Sequence, residues 1–176
     1  LATEAADIDP GASLTFAKVS GPAWLSVAPD GTASGIPGNF DIGANSFIIS
    51  VSDGVAAPVE TTLNLAVINT NDAPVFTANP FNATDATEDA AYTSSIAGSA
   101  SDVDAGATLT YAKLGGPAWL SVASNGALSG TPDNSNVGSN SFTVSVSDGI
   151  AAAVTATLNI TVTNTNDAPV FASNPI

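Results

Sequence analysis

The sequence predicts an all-β chain built from two tandem sandwiches, and three observations lead there. The chain repeats itself at a fixed interval, which marks an array of similar units rather than one large fold. Asn69-Thr70-Asn71-Asp72-Ala73-Pro74-Val75-Phe76 returns unchanged as Asn164-Thr165-Asn166-Asp167-Ala168-Pro169-Val170-Phe171, 95 residues later. Sliding the chain by that interval registers the rest with no insertion, and about three in five aligned residues are identical. Apolar and polar residues alternate with period two in Phe47-x-Ile49-x-Val51 and Leu63-x-Leu65-x-Val67, and again in Phe142-x-Val144-x-Val146 and Leu158-x-Ile160-x-Val162. Turn-forming pairs punctuate these runs: Asp30-Gly31, Asp53-Gly54, Ala105-Gly106, Asn125-Gly126 and Asp148-Gly149. No segment carries a helical period with caps.

Taken in order, the first repeat opens at Leu1, which falls on Ile96, so residues 77–95 have no counterpart before it. The segment missing from that repeat includes an expected first strand over Ala91-Tyr92-Thr93-Ser94-Ser95-Ile96. Either the chain is trimmed there or another molecule supplies that strand, and an edge left open in this way invites strand exchange. Further short strands are expected around Leu109 to Leu114, Trp119 to Ala123 and Ala127 to Ser129, followed by the two long alternating runs. Roughly seven short strands in about 95 residues is the size of an immunoglobulin-like sandwich. Trp24 and Trp119, one per repeat, are expected as core anchors between the sheets. The boundaries follow: one domain over 1–72, a second over 73–168, and the start of a third over 169–176.

Composition narrows the chemistry. Sixteen acids against Lys18 and Lys113 give a formal net charge of −14. That balance argues against nucleic acid or an anionic membrane as partner and suits divalent cations. With 44% hydrophobic residues the chain is no disordered polyacid. No apolar run approaches the length of a membrane span, and no signal peptide stands at Leu1. Cysteine, histidine and methionine are absent. Disulfides, thiol nucleophiles, Ser-His pairs and the usual zinc ligands are therefore excluded, and the missing methionine suggests a piece of a longer chain.

The acids are not scattered. Asp102 and Asp104 stand two apart, so on an extended strand they share a side. Asn71 and Asp72, just before Pro74, add oxygens from the linker, and Asp148 at the turn after an alternating run can close a cage. Calcium takes six to eight such oxygens. Without a cation, crowding these acids costs of the order of several kcal/mol in poorly solvated ground. An EF-hand starting at Asp102 would need a glutamate at its twelfth position, where Lys113 stands. The glycine-rich calcium nonapeptide is absent too. A glycosidase pair would sit in one pocket, whereas this pair recurs in each repeat at a strand start. No enzymatic activity is expected.

These residues carry a resemblance. Asn-x-Asn-Asp-Ala-Pro-Val-Phe resembles the cadherin linker Asp-x-Asn-Asp-Asn-Ala-Pro-x-Phe, and Asp102-Val103-Asp104 resembles the cadherin Asp-x-Asp strand. Ser147-Asp148-Gly149 falls where cadherins have Ala-x-Asp-x-Gly. Trp119-Leu120-Ser121 followed by Leu128-Ser129-Gly130-Thr131-Pro132 is closer to the dystroglycan-type cadherin-like domains, the Ig-like family abundant in bacterial surface adhesins and in secreted polysaccharide-degrading enzymes. The resemblance implies Greek-key sandwiches with calcium at their joints. It implies a central site of Asn69, Asn71, Asp72, Asp102, Asp104 and Asp148, with Asp41 or Asn39 from the first repeat. No Asp-x-Glu stands at that last place, where cadherins have Asp-Arg-Glu. For the following joint it implies Glu88, Asp133, Asn164, Asn166 and Asp167, and for the preceding one Asp7, Asp9 and Asp53. It further implies an extracellular, calcium-stiffened spacer of a cell-adhesion or biofilm protein whose partners are calcium and its neighbouring repeats. Polysaccharide binding, with Phe40 as the best exposed aromatic, and homophilic contact through the open edge of the first repeat are the alternatives.

Overall fold

Backbone pairing follows the two periods read from the sequence. The computed structural model describes residues 1–172, which fall into two compact units, 1–70 and the part of the chain from Asn71 onward.

The first unit contains β1 (Thr15–Ser20), β2 (Leu25–Val27), β3 (Ala33–Gly35), a 3-10 turn at Asn39–Asp41, β4 (Gly43–Ser52) and β5 (Val59–Val67). Strands β1, β4 and β5 form one antiparallel sheet, and β2 pairs with β3. Alternation along β4 buries Phe47 and Ile49, which with Leu25 form a small core.

The second unit repeats this plan and adds to it. Its strands are β6 (Val75–Phe76), β7 (Phe81–Asn82), β8 (Ala86–Thr87), β9 (Tyr92–Ser95), β10 (Ala100–Ser101), β11 (Thr110–Gly115), β12 (Leu120–Val122), β13 (Ala127–Gly130), β14 (Gly138–Ser147) and β15 (Val154–Thr163). One sheet runs β11-β14-β15-β7, with β8 also on β15; the other runs β12-β13-β9, and β10 pairs with β6. The first strands of the unit lie parallel to its last one, Leu158 opposite Phe81 and Val162 opposite Ala86. This is an all-β, immunoglobulin-like sandwich.

The expected first strand at 91–96 is present as β9, yet it is not first. Three short strands precede it within 75–87. They are two residues long and lack room to alternate, so the period-two signal missed them. The strands expected near 109, 119 and 127 appear as β11, β12 and β13.

Register is duplicated along with sequence. Thr15 faces Ser52 as Thr110 faces Ser147, and β1 and β11 each shift register just after the lysine. The shift turns Lys18 and Lys113 toward carbonyls. Lys18 Nζ donates to Pro22 O at 2.8 Å; Lys113 Nζ donates to Pro117 O and Leu120 O at 2.7 Å. Both basic side chains are thus spent on structure, each about 6 Å from a core phenylalanine ring. Trp24 and Trp119 are half-buried core anchors. Trp119 meets Tyr92 and Phe142 edge-on and donates Nε1–H to Asn140 Oδ1 at 3.1 Å. Gly130 passes beneath it so closely that a Cβ would lie 2.0 Å from Trp119 O, which requires glycine there.

The two cores differ although their sequences align. Leu158, Ile160 and Val162 are buried, while their counterparts Leu63, Leu65 and Val67 are half-buried. Leu158→Ala is therefore expected to cost about 2–5 kcal/mol, and Leu63→Ala distinctly less, in urea unfolding of the two variants. Equal losses would contradict the difference in packing.

Candidate functional site

The linker is pinned before it is functional. Pro74 is fully buried within the second unit, and Asn71 and Asp72, just ahead of Ala73 and Pro74, are held at one end of that sandwich. Asp72 N–H donates to Asp104 Oδ2 at 2.7 Å, and Asn71 Nδ2 donates to Asp148 Oδ2 at 2.8 Å. Asp104 N–H donates in turn to Asp102 Oδ1 at 2.8 Å. The structure thus brings Asn71, Asp72, Asp102, Asp104 and Asp148 together from the linker, the bend after β10 and the turn after β14.

The reason for one contact differs from expectation. Asp102 and Asp104 lie beyond β10 in a bend, not on an extended strand. Asp102 folds back on the backbone of Asp104 as an Asx turn, and this brings the two together instead of strand alternation. One oxygen is left over. Asp102 Oδ2 is buried and receives no hydrogen bond, a costly state for a carboxylate oxygen unless a cation meets it.

Asp148 is held ionised by its turn. The amide N–H of Ile150 lowers its pKa most, and the Asn71 side chain lowers it further. Oδ1 accepts from Ile150 and Ala151 at 2.9 Å each. In the first unit Asp53 accepts from Val55 and Ala56, which lower its pKa in the same way. Asp9 N–H donates to Asp7 Oδ1 at 2.8 Å. The first unit therefore repeats the same turn chemistry with Asp7, Asp9 and Asp53.

A second carboxylate group lies at the other end of the second unit. Glu88, Asp89 and Asp167 present oxygens within 4.8 Å of one another. Two ligands of one calcium-sized ion, each about 2.3–2.6 Å from it, can be about 5 Å apart, so the spacing fits a hard cation. Glu88 is only 1% exposed. Its Oε2 accepts from Thr165 N–H at 3.1 Å, while Oε1 is buried with no donor. Asp89 sits at φ 58°, a left-handed turn that aspartate tolerates better than most residues. Asn134 Nδ2 donates to Asp167 Oδ2 at 2.9 Å, and Asn166 Nδ2 donates to the Asp167 carbonyl.

The expected ligands divide accordingly. Glu88 and Asp167 converge. Asp133 instead caps the 3-10 turn Asn134–Asn136, accepting from Ser135 N–H at 2.9 Å. Its counterpart position is Gly38, and Asp41, at the place of Asn136, likewise accepts from Gly38 N–H at 2.8 Å. Asn69 and Asn164 are exposed residues of the two linkers. Asp89 was not anticipated; its adjacency to Glu88 was the available signal, but a lone acid in an unrecognised turn gives no spacing to read.

The fold and both acidic groups are consistent with what the chain resembles. Residues 73–163 match the family model described as "Putative Ig domain". The chain belongs to this Ig-like family. It is also similar in structure to Drosophila N-cadherin EC1-4, with a TM-score of 0.63 at 15% identity over 88% of this chain and 43% of that one. Mouse cadherin-23 EC22-24 gives 0.62 at 22% identity, covering 86% and 53%. These two likenesses concern the fold. The endo-fucoidan hydrolase MfFcnA4 of glycoside hydrolase family 107 is 34% identical over 89% of this chain, with a TM-score of 0.50. This chain spans about a quarter of that enzyme's length, 24%. No curated protein matches the chain.

The sign of the Asp148 shift gives a test. A carboxyl held below its ordinary 3.8 stabilises the fold above that pH, and the contribution is lost as pH falls through the lowered value. Carboxyl-carbon NMR is expected to give Asp148 a midpoint below 3.8. Asp148→Asn is expected to flatten the acid limb of the stability profile.

Proposed function

We propose that the chain is a calcium-binding spacer whose joints are stiffened by the ion, within a large extracellular adhesion protein of the dystroglycan-type cadherin-like kind. The observation that carries this reading is the pair of buried carboxylate oxygens without a donor, Asp102 Oδ2 and Glu88 Oε1, each set among further acids. In this reading Asn69, Asn71, Asp72, Asp102, Asp104 and Asp148, with Asp41 of the first repeat, would serve the joint between the repeats. Glu88, Asp89, Asn166 and Asp167 would serve the next, where Asp133 shapes the adjoining 3-10 turn, and Asp7, Asp9 and Asp53 the one before. The reading takes domain limits of 1–72 and 73–168, with each linker at a joint. Calcium would offset the mutual repulsion of the acids and crosslink linker to sandwich, so that removing it frees the linker.

The chain has no catalytic role in this reading. Among the described residues no helix is long and apolar enough to cross a membrane, and the net charge of −14 disfavours nucleic acid. A surface role in adhesion or biofilm follows from the spacer function.

The 34% identity to an endo-fucoidan hydrolase favours a second reading. The chain would then be an accessory module of a secreted polysaccharide-degrading protein, and could hold polysaccharide itself. Phe40, fully exposed beside Asp41, is the aromatic available to stack on a sugar ring.

Thermal melting with calcium and then with chelator separates the readings. A hundredfold excess over Kd adds roughly 2.7 kcal/mol. The rise is expected to disappear in an Asp102→Ala, Asp104→Ala double variant. An unchanged melt in calcium, together with Phe40-dependent retention on polysaccharide, would replace the first reading with the second.

A further inference from the structure

We propose that Asn140 is a positioning residue for the acidic group of Glu88, Asp89 and Asp167, because it fixes the loop that places two of those three carboxylates. The inference rests on the reading of that group as a cation site, and it adds to the site a residue that touches no cation.

Asn140 breaks the pattern of its strand. It lies on the inward face of β14 with Phe142 and Val144, where alternation calls for an apolar side chain. It is only 6% exposed, and a buried carboxamide is costly unless its hydrogen bonds are made. All of them are made. Oδ1 accepts from Trp119 Nε1–H at 3.1 Å, while Nδ2 donates to Asn136 O at 2.6 Å and to Gly138 O at 3.1 Å. The 3-10 turn Asn134–Asn136 does not need this help to close. Ser135 N–H donates to Asp133 Oδ1 and Asp133 N–H donates to Asn136 Oδ1, at 2.9 Å each. What Asn140 adds is a link from that turn to the core.

The loop so anchored reaches the acidic group twice. Pro132, fully buried, accepts at its carbonyl from Asp89 N–H at 2.9 Å. Asn134 Nδ2 donates to Asp167 Oδ2 at 2.9 Å. Glu88 is held separately at the end of β15, its N–H donating to Thr163 O and its Oε2 accepting from Thr165 N–H. Asp89 and Asp167 therefore take their places from the loop, and the loop takes its place from Asn140. The other end of the link is rigid. Tyr92 and Phe142 meet the Trp119 ring edge-on, and the Gly130 backbone passes beneath it. The first unit carries the same device. Trp24 Nε1–H donates to Asn45 Oδ1 at 3.2 Å, and Asn45 Nδ2 donates to Asp41 O at 2.6 Å. In both units a buried asparagine ties a core tryptophan to the 3-10 turn ahead of the long hairpin.

Calcium titration of the whole chain, followed by backbone amide NMR, tests the proposal. Glu88, Asp89 and Thr165 report on this group, and Asp104, Ile150 and Ala151 report on the group of Asp102, Asp104 and Asp148. Asn140→Leu is expected to weaken calcium about tenfold or more at the first set, as loss of an outer partner of a metal ligand does, and to leave the second set unchanged. Trp119→Phe keeps a ring and removes the N–H. It is expected to act on the same set in the same direction, and it carries the test if Asn140→Leu does not fold. Asn134→Ala should reproduce the loss, and combining it with Asn140→Leu should add little, because the two act in series. Leu158→Ala is the control: it loosens the core, leaves the asparagine link intact and should leave the affinity of the first set in place. Unchanged affinity of the first set in Asn140→Leu, or in Trp119→Phe where that variant carries the test, overturns the proposal. So does an equal loss in Leu158→Ala, which would make the role of Asn140 one of general stability. If the first set ignores calcium in the unaltered chain, the cation reading itself falls, and that result appears before any variant is made.

Discussion

The pairing of β14 with β15 is the constraint on which the rest depends. The two strands run antiparallel in register from Gly138 opposite Val162 to Val146 opposite Val154. Phe142, Val144 and Val146 on one strand and Leu158, Ile160 and Val162 on the other are turned into the core by simple alternation. A ten-residue strand is about 34 Å long at about 3.4 Å per residue. The turn at Asn134–Asn136 is fixed at one end of it and Asp148 at the other. The acidic groups are thus placed by the core, since slipping the register by one residue would turn the apolar set outward.

The chain shows clearly which information is local. The long hairpin, the repeat period and the grouping of Asp72, Asp102, Asp104 and Asp148 were legible from spacing and repeated motifs, although Asp102 and Asp104 meet through an Asx turn and not through strand alternation. The strands of 75–87 were not. Each is two residues long: β7 and β8 are held by a partner some 75 residues away, Phe81 by Leu158 and Ala86 by Val162, and β6 is held by Ala100 and Ser101, and no pattern within 75–87 announces those partners. Asp89 escaped for a related reason. Its place beside Glu88 and Asp167 depends on a left-handed turn and on β8 lying along β15.

The same comparison separates sequence from burial. Leu63 and Leu158 are identical residues at aligned positions in strands of the same register, yet only Leu158 is buried. In the second unit β7 and β8 lie along β15 and add to the cover over that strand. An alternating run therefore says which face of a strand is apolar, but what covers that face is a tertiary fact. The Tyr111 and Phe16 pair makes the point chemically. Tyr111 hydroxyl donates to Ala97 O at 2.8 Å, tying the chain after β9 to the sheet, and Phe16 has no hydroxyl with which to do so.

The distribution of charge bears on why so acidic a chain carries so few charged residues. Ten of the sixteen acids, Asp7, Asp9, Asp53, Asp72, Glu88, Asp89, Asp102, Asp104, Asp148 and Asp167, lie in the end clusters or are their counterparts in the other repeat. A surface made acidic for solubility alone would spread its carboxylates, since dispersal lowers their mutual repulsion. Here repulsion is concentrated at strand ends, and two of the oxygens are buried without a donor. Backbone amides relieve part of it: Asp53, Asp148 and Asp104 N–H all take part in turns that hand N–H groups to carboxylates. What amides leave unmatched at Asp102 and Glu88 is a need for positive charge, and the two lysines are already committed to carbonyls elsewhere. In the proposed reading a small hard cation supplies positive charge to those oxygens, a form that fits between carboxylates so closely spaced.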